Sequence, residues 1–537
     1  MLETLLAVVW WPLSWLLRPL PLAVIAILLT LAYRRITRDH AFWTSRGVPG
    51  PPPTFLSGHN FPNPRCFYEF DQWLYYEQGG KKMCGFIEMM RPVLYVGDPD
   101  LIRAITIKDF DHFVDRRDLV ISKCMEDMMP SLRGRKWKEV RAIMSPAFSS
   151  SKLKAMHELC LESADNLSNY LQETTRQHGD VEMKEAAGRF TMDNIASCAF
   201  GVNCNSFKDP NTEFAKHASV FFRPMSVYDS LRLALVMVLP HWLGQLLPER
   251  SEAAGEFFRR VVLTTIAHRE GAGDAGRRDY LHLLLEARQQ HGEHVLSNDS
   301  IVANCVLFYV AGYDTTATVI TFACYALATE PAVQAAARDE LDQVLARHGG
   351  RLTYEAVSEL RYLDRVISET LRLYSPSMRI ERECSRDYRV PGTELTLPAG
   401  TLVAMPVITM HRDPDYFPDP MRFDPDRFLP EEKEKRHPCV YIPFGSGPRN
   451  CIAQRFALFE IKVALACVLR DCRLETAPAT PPAPLRLEPT AFLSTPADPV
   501  RVRVVPRTDR PASGGSGPAT EAPTESDPAP RPATTAQ

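Results

Sequence analysis

The chain has no C-x-x-C pair among its 13 cysteines, and 13 is an odd number spread over 537 residues. A secreted disulfide framework and zinc-ligand spacing are both excluded, which leaves most thiols as small buried hydrophobes. Charge of one sign is also lacking: 62 Lys and Arg face 65 Asp and Glu, a net charge of -3. Nothing in that balance points to nucleic acid, and basic recognition is confined to local clusters. No G-x-G-x-x-G follows a strand-like run, so the chain carries no dinucleotide fingerprint. With 45% hydrophobic and 24% charged residues the rest is ordinary globular protein. Length alone suggests two to four domains, a rule that large helical enzymes often exceed as one unit. No internal repeat is visible.

One stretch almost lacks charge altogether. From Leu5 to Tyr33 only Arg18 is charged, Leu20 to Tyr33 is apolar but for Thr30, and Arg34, Arg35 and Arg38 follow. About 20 apolar residues span a bilayer, and the run reaches that length with the Trp10, Trp11 and Trp15 stretch before it. Pro19 and Pro21 are expected to kink or split it. The basic end puts the body in the cytoplasm. Glu3 and the absence of Lys or Arg before Arg18 favour an uncleaved anchor over a signal peptide. Glycosylation-type triplets at Asn166 and Asn298 are discounted on that topology.

These signals divide the chain into a membrane anchor (1–38), a basic and proline-rich linker (39–53), a catalytic body (54–507) and a tail (508–537). Val48 to Pro53 reads as a stiff elbow, and the Pro/Ala/Ser/Thr-rich tail as disordered. In the body, helical spacing runs through 133–171, 251–269, 299–329, 331–348 and 355–374. Strand-like pieces fall at 82–97 and 388–405, and 410–450 reads as irregular. The fold class expected is mainly α with a small β region, one large helical domain. The apolar segment 220–248 suits core packing or a second bilayer contact.

The strongest motif is Pro443 to Ala453, PFGSGPRNCIA, with a helical stretch straight after it. A thiolate at a helix start gains from the helix dipole and from free N–H groups. Gly445 and Gly447 permit a tight turn and close approach to a flat cofactor, and Arg449 is placed to meet an acidic group on it. In Ala311 to Thr316, AGYDTT, a mid-helix Gly costs roughly 1 kcal/mol against Ala, so a widened turn is expected there. Glu369 and Arg372 lie at i and i+3 on one helix face.

The Cys451 loop closely resembles the haem-binding loop of the cytochromes P-450, with Ala453 standing where most members have Gly. ETLRLY and FDPDRF match that family in order and spacing, and the resemblance covers about residues 45 to 505. Its nearest flavour is the microsomal branch of family-3 enzymes and thromboxane synthase, carried by AGYDTT, LRLYSPSMRIER and PFGSGPRNCIAQRFAL. The resemblance implies the cytochrome P-450 fold, haem b as cofactor and Cys451 as its thiolate ligand. It implies Asp314 and Thr315 as the proton-delivery pair, and Glu369, Arg372 and Arg427 as a structural triad. By resemblance Arg449, Arg382, Arg116, Trp137 and Arg141 meet the propionates, with Ala311 and Phe444 also against the cofactor. Pocket walls are expected from 117–130, 213–230, 305–315, 376–381 and 490–494, including Phe308, Met378 and Phe492.

The resemblance further implies a monooxygenase that places one oxygen atom of O2 on a lipophilic substrate, a steroid, fatty acid or xenobiotic. Electrons would come from NADPH–cytochrome P-450 reductase, with cytochrome b5 as a further partner, at the endoplasmic reticulum membrane. Arg449, Lys462 and Arg141 are candidate reductase contacts. A peroxide isomerase or lyase and a non-catalytic haem carrier or sensor stay open as alternatives. The intact Asp314–Thr315 pair favours the monooxygenase.

Overall fold

The computed structural model describes residues 19–508 apart from 55–58, 60–66, 89, 118–125, 203, 210–211, 223–225, 227, 230–231, 233–234, 236–250, 273–278, 294 and 489–492. Helices dominate, and the body is mainly α with a small β region. Among the helices are α1 (Pro19–Thr37), α2 (Gly134–Met144), α3 (His157–His178), α4 (Met183–Ile195), α5 (Asn298–Thr329), α6 (Arg361–Leu373) and α7 (Gln454–Asp471). The strands are β1 (Met83–Glu88), β2 (Arg91–Val96), β3 (Val181–Glu182), β4 (Arg379–Glu383), β5 (Tyr388–Arg389), β6 (Thr396–Leu397), β7 (Leu402–Pro406), β8 (Cys472–Thr476) and β9 (Arg501–Pro506).

Helix α5 is the central rod. Ser297 caps it by accepting from the Ser300 N–H, and its residues from Thr316 to Ala328 are all buried. Among the described residues it is the one helix long and apolar enough to cross a membrane, yet its side chains are mostly buried, as in a core helix. Helices α4 and α7 flank it, and α3 packs on α7. Helix α4 begins at Glu182, whose carboxylate accepts from the Lys184 and Glu185 N–H groups.

The larger sheet runs β1-β2-β7-β4, with β2 and β7 parallel and the other pairs antiparallel. Alternation along β4 sorts its side chains by face. Arg379, Glu381 and Glu383 turn to a network with Asp71, Glu88, Arg117 and Arg133. Ile380 and Arg382 turn instead to the Cys451 loop.

Two of the expected helical runs are interrupted, one of them at a proline. The expected run 133–171 is split at Pro146 into α2, a short Ser150–Ala155 helix and α3. The run 355–374 is split at Leu360 into Tyr354–Glu359 and α6. The expected anchor falls partly outside the described residues, Trp10, Trp11 and Trp15 included. Within α1, Val24, Ile27, Leu29 and Leu31 are exposed. Of segment 220–248 little is described, and residues 509–537 of the tail lie outside the described residues.

Candidate active site

The Cys451 loop is closed by its own backbone. Gly445 N–H donates to Ile442 O at 2.9 Å, Asn450 N–H to Gly447 O at 3.1 Å and Cys451 N–H to Phe444 O at 2.8 Å. Gly445 and Gly447 sit at φ +78° and +74°, the left-handed region that favours glycine. At Gly447 space is decisive as well, because a Cβ there would lie 1.7 Å from Thr106 O. The floor is tied down from two sides, by Thr106 Oγ1 donating to Ser446 Oγ (3.1 Å) and Arg382 to Ser446 O (3.2 Å).

Of the eleven described cysteines ten are buried and Cys451 alone is exposed. Protein nevertheless crowds it on most sides. Burial pushes its thiol up, while the Ala453 N–H and the Arg141 and Arg116 guanidiniums pull the other way. An accessible thiol in a cationic, partly desolvated seat is the setting of a ligand rather than of a packing residue.

Around it stand four guanidiniums that bond carbonyl oxygens and, among the described residues, form no ion pair. Arg116 reaches Arg449 O at 3.1 Å. Arg141 reaches Asn450 O and Oδ1, both at 2.8 Å. Arg382 reaches Glu381 O at 2.8 Å, and Arg449 reaches Val114 O at 2.6 Å with Pro130 O and Leu132 O at 2.8 Å. Trp137 is buried, and the Arg449 guanidinium lies 4.7 Å from its ring centroid.

Burial, with repulsion from Arg116 and Arg449, holds Arg382 well below the usual arginine range. Burial and then Arg116 bring Arg449 down to about 9. The Nε atoms of Arg116, Arg382 and Arg449 are buried without a hydrogen-bond partner. Concentrated, under-satisfied positive charge beside a thiol fits a cofactor that carries carboxylates and a thiol-binding centre. Phe444 is half-buried in the same loop.

Helix α5 is accessible from Val310 to Thr315, with Ala311 exposed, between largely buried stretches on either side. The expected widened turn is not there: α5 is unbroken, and Thr315 Oγ1 donates to Ala311 O at 2.6 Å. Gly312 has a packing reason instead, since a Cβ would come within 2.8 Å of Ile195 Cδ1 on α4. Asp314 Oδ1 pairs with Lys184 Nζ at 2.7 Å, and the same ammonium donates to Asp314 O (3.3 Å) and Thr318 Oγ1. Lys184, separated by 130 residues, has no motif that would have disclosed it.

The structure brings Glu369, Arg372 and Arg427 together. Arg372 Nε and Nη2 donate to the two Glu369 carboxylate oxygens at 2.7 and 2.8 Å, with both side chains fully buried. Arg427 Nε stands 3.5 Å from Glu369 Oε1, and its other nitrogens hold Pro418 O and Asp419 O. Glu369 Oε1 also accepts from the Asp424 N–H at 2.9 Å. A helix is thereby bolted to the irregular segment ahead of the loop.

Of the three expected wall residues, two are buried and one lies outside the described residues. Phe308 is buried among Phe148, Tyr280 and Phe456, with centroids 5.8, 4.8 and 5.3 Å away. Met378 is buried, and its carbonyl accepts from Val407 and Ile408 N–H. Phe492 lies outside the described residues. Two expected reductase contacts are occupied otherwise: Lys462 is a buried partner of Asp364 at 2.5 Å, and Arg449 is buried.

Known proteins match the chain along almost its whole folded length. The family profile described as Cytochrome P450 matches residues 48–503. "Cytochrome P450 9e2" of Blattella germanica is 37% identical, covering 88% of this chain and 95% of its own. "Cytochrome P450 3A31" of Mesocricetus auratus is 34% identical, with coverages of 90% and 96%. "Cytochrome P450 6B2" of Helicoverpa armigera is 33% identical, with coverages of 91% and 98%.

Proposed function

The chain belongs to the cytochrome P450 family, a haem b-binding monooxygenase family, and we propose that Cys451 is its thiolate ligand, acting on a lipophilic substrate. The observation that carries the ligand role is that, among the described residues, Cys451 is the one accessible cysteine and the guanidiniums around it have no carboxylate partner. Arg116, Arg382 and Arg449 would hold the propionates, with Trp137 bracing Arg449 and Arg141 holding Asn450 beside the ligand. Ala311 and Phe444 would face the two sides of the haem. Haem bound there supplies the oxygen-activating chemistry.

The chain's own residues bind, orient and move protons. Asp314 would carry protons toward the distal face, its carboxylate held by Lys184, and Thr315 would relay them by exchanging its bond to Ala311 O. Glu369, Arg372 and Arg427 are structural. With no dinucleotide fingerprint in the sequence, electrons would come from NADPH–cytochrome P-450 reductase, with cytochrome b5 as an accessory donor. Residues 1–38 would anchor the chain in the endoplasmic reticulum membrane, with 39–53 as the connection, the body 54–507 in the cytosol and 508–537 as a tail. The substrate class is a steroid, fatty acid or xenobiotic, and O2 is the co-substrate. Peroxide isomerisation would need no proton route, so the Asp314–Lys184 pair favours the monooxygenase.

Incubation with NADPH, purified reductase and a panel of lipophilic compounds tests this reading. NADPH consumption with an oxygenated product is expected. Conversion of an organic hydroperoxide without reductase, and no NADPH-driven product, would refute it in favour of the isomerase.

A further inference from the structure

The segment between α1 and the sheet is not a free elbow. Hydrogen-bonded turns continue from the helix end, His40 N–H to Thr37 O (3.1 Å), Phe42 N–H to Asp39 O (3.0 Å) and Ser45 N–H to Ala41 O (3.0 Å). They lead to Trp43, which is 4% exposed although its neighbours Ala41 and Thr44 to Gly47 are exposed. Its indole N–H donates to Phe86 O at 2.9 Å, and its ring lies over Gly85, where a Cβ would come within 2.3 Å. The backbone then follows β1 at close range. Gly85 N–H donates to Pro49 O at 2.7 Å, and a Cβ on Gly50 would fall 2.0 Å from Gly85 O. His59 closes the seam, its N–H donating to Ile87 O at 3.0 Å and its Nδ1 accepting from Ile87 N–H at 2.9 Å.

Strand β1 is the edge of the sheet β1-β2-β7-β4, and β4 at the opposite edge carries Arg382 to the Cys451 loop. Three strand spacings, about 14 Å of hydrogen-bonded sheet, therefore separate the seat of Trp43 from the strand that faces the cofactor. A sheet resists bending far better than a linker does, because its pairing would have to break.

We propose that Trp43 is a positioning residue that sets the angle of the catalytic body to a lipid bilayer, by clamping the end of α1 to the β1 edge of this sheet. The partner is a lipid surface, reached through the exposed apolar residues of α1 and the arginines at its end. The inference rests on the anchor reading above, and the two can fail separately.

Full-chain holoprotein in supported bilayers of phosphatidylcholine with phosphatidylserine, read by polarised absorption of the haem, tests it. Wild type is expected to give strong linear dichroism. Trp43→Ala, and separately two glycines inserted after Arg38, are expected to keep the reduced-CO band and flotation with vesicles yet lose at least half of the dichroism. The insertion leaves the clamp whole, so it decides the matter even if Trp43→Ala fails to take up haem. Unchanged dichroism in the insertion variant overturns the proposal. A wild type that floats but gives no dichroism overturns it too and spares the anchor, whereas a wild type that does not float overturns both.

Discussion

Glu460 lies on α7, nine residues after Cys451, with no exposed surface. Its Oε1 accepts from Asn194 Nδ2 of α4 at 2.7 Å, and its Oε2 is buried without a partner. Among the described residues it forms no ion pair. Burial pushes its carboxyl from an ordinary 4.5 up to about 8, the Asn194 amide offsetting only part. At neutral pH the folded protein therefore holds a neutral acid that ionises on unfolding. A folded pKa above the unfolded one favours folding below pH 4.5, and that contribution is lost as pH rises toward 8. At pH 7 the loss is about 3 kcal/mol, 2.5 pH units at 1.36 kcal/mol each. Glu460→Gln removes the titration and keeps the shape. The variant should match wild type near pH 4.5 and exceed it by about 3 kcal/mol at pH 7. Specific unfolding entropies make that roughly 3 °C in Tm for a domain of this size. Thermal scans of both proteins from pH 5 to 8 measure the gap. A gap that does not grow with pH, or a glutamine variant that melts lower at pH 8, refutes the reasoning.

Glu369→Gln leaves Arg372 buried without its counter-charge, so a loss of about 3–5 kcal/mol is expected, read as lower Tm and less haem per mole of protein. Gly447→Ala should fail to incorporate haem because its Cβ meets Thr106 O at 1.7 Å, whereas Gly445→Ala, with nothing closer than 3.7 Å, should lose only about 1 kcal/mol to backbone strain. Reduced-CO spectra of the two variants make that comparison. Asp314→Asn frees Lys184 and should slow product formation by roughly 10²-fold, with a larger solvent isotope effect and Tm within about 1 °C of wild type. A rate unchanged within twofold would exclude Asp314 from proton delivery.

Much of the site is legible locally because its requirements are local. Gly445 and Gly447 answer to φ and to close approach, and Glu369 and Arg372 to a three-residue helical step, all within one segment of chain. Helical spacing gives the residues that share a face but not what each of them packs against. Only the packing of α5 shows that Phe308 joins Tyr280 and Phe456 while Ala311 is left accessible. Gly312 misled for a related reason. A mid-helix glycine signals close approach without saying whether a distorted turn or a neighbour, here Ile195, demands it.

Composition, spacing and turn chemistry determined the mainly α class of fold and marked Cys451 as the candidate thiol, since both are written in neighbouring positions, whereas Arg116, Trp137, Arg141 and Arg382 were singled out only by resemblance to a family. Tertiary structure alone decided what those residues touch. It set Lys184 on Asp314 across 130 residues, Asn194 on Glu460 across 266, and Trp43 in the seat made by Gly85. Such pairings depend on how helices and sheet edges close on one another, and no local propensity encodes a distance between segments that meet only once the core has formed.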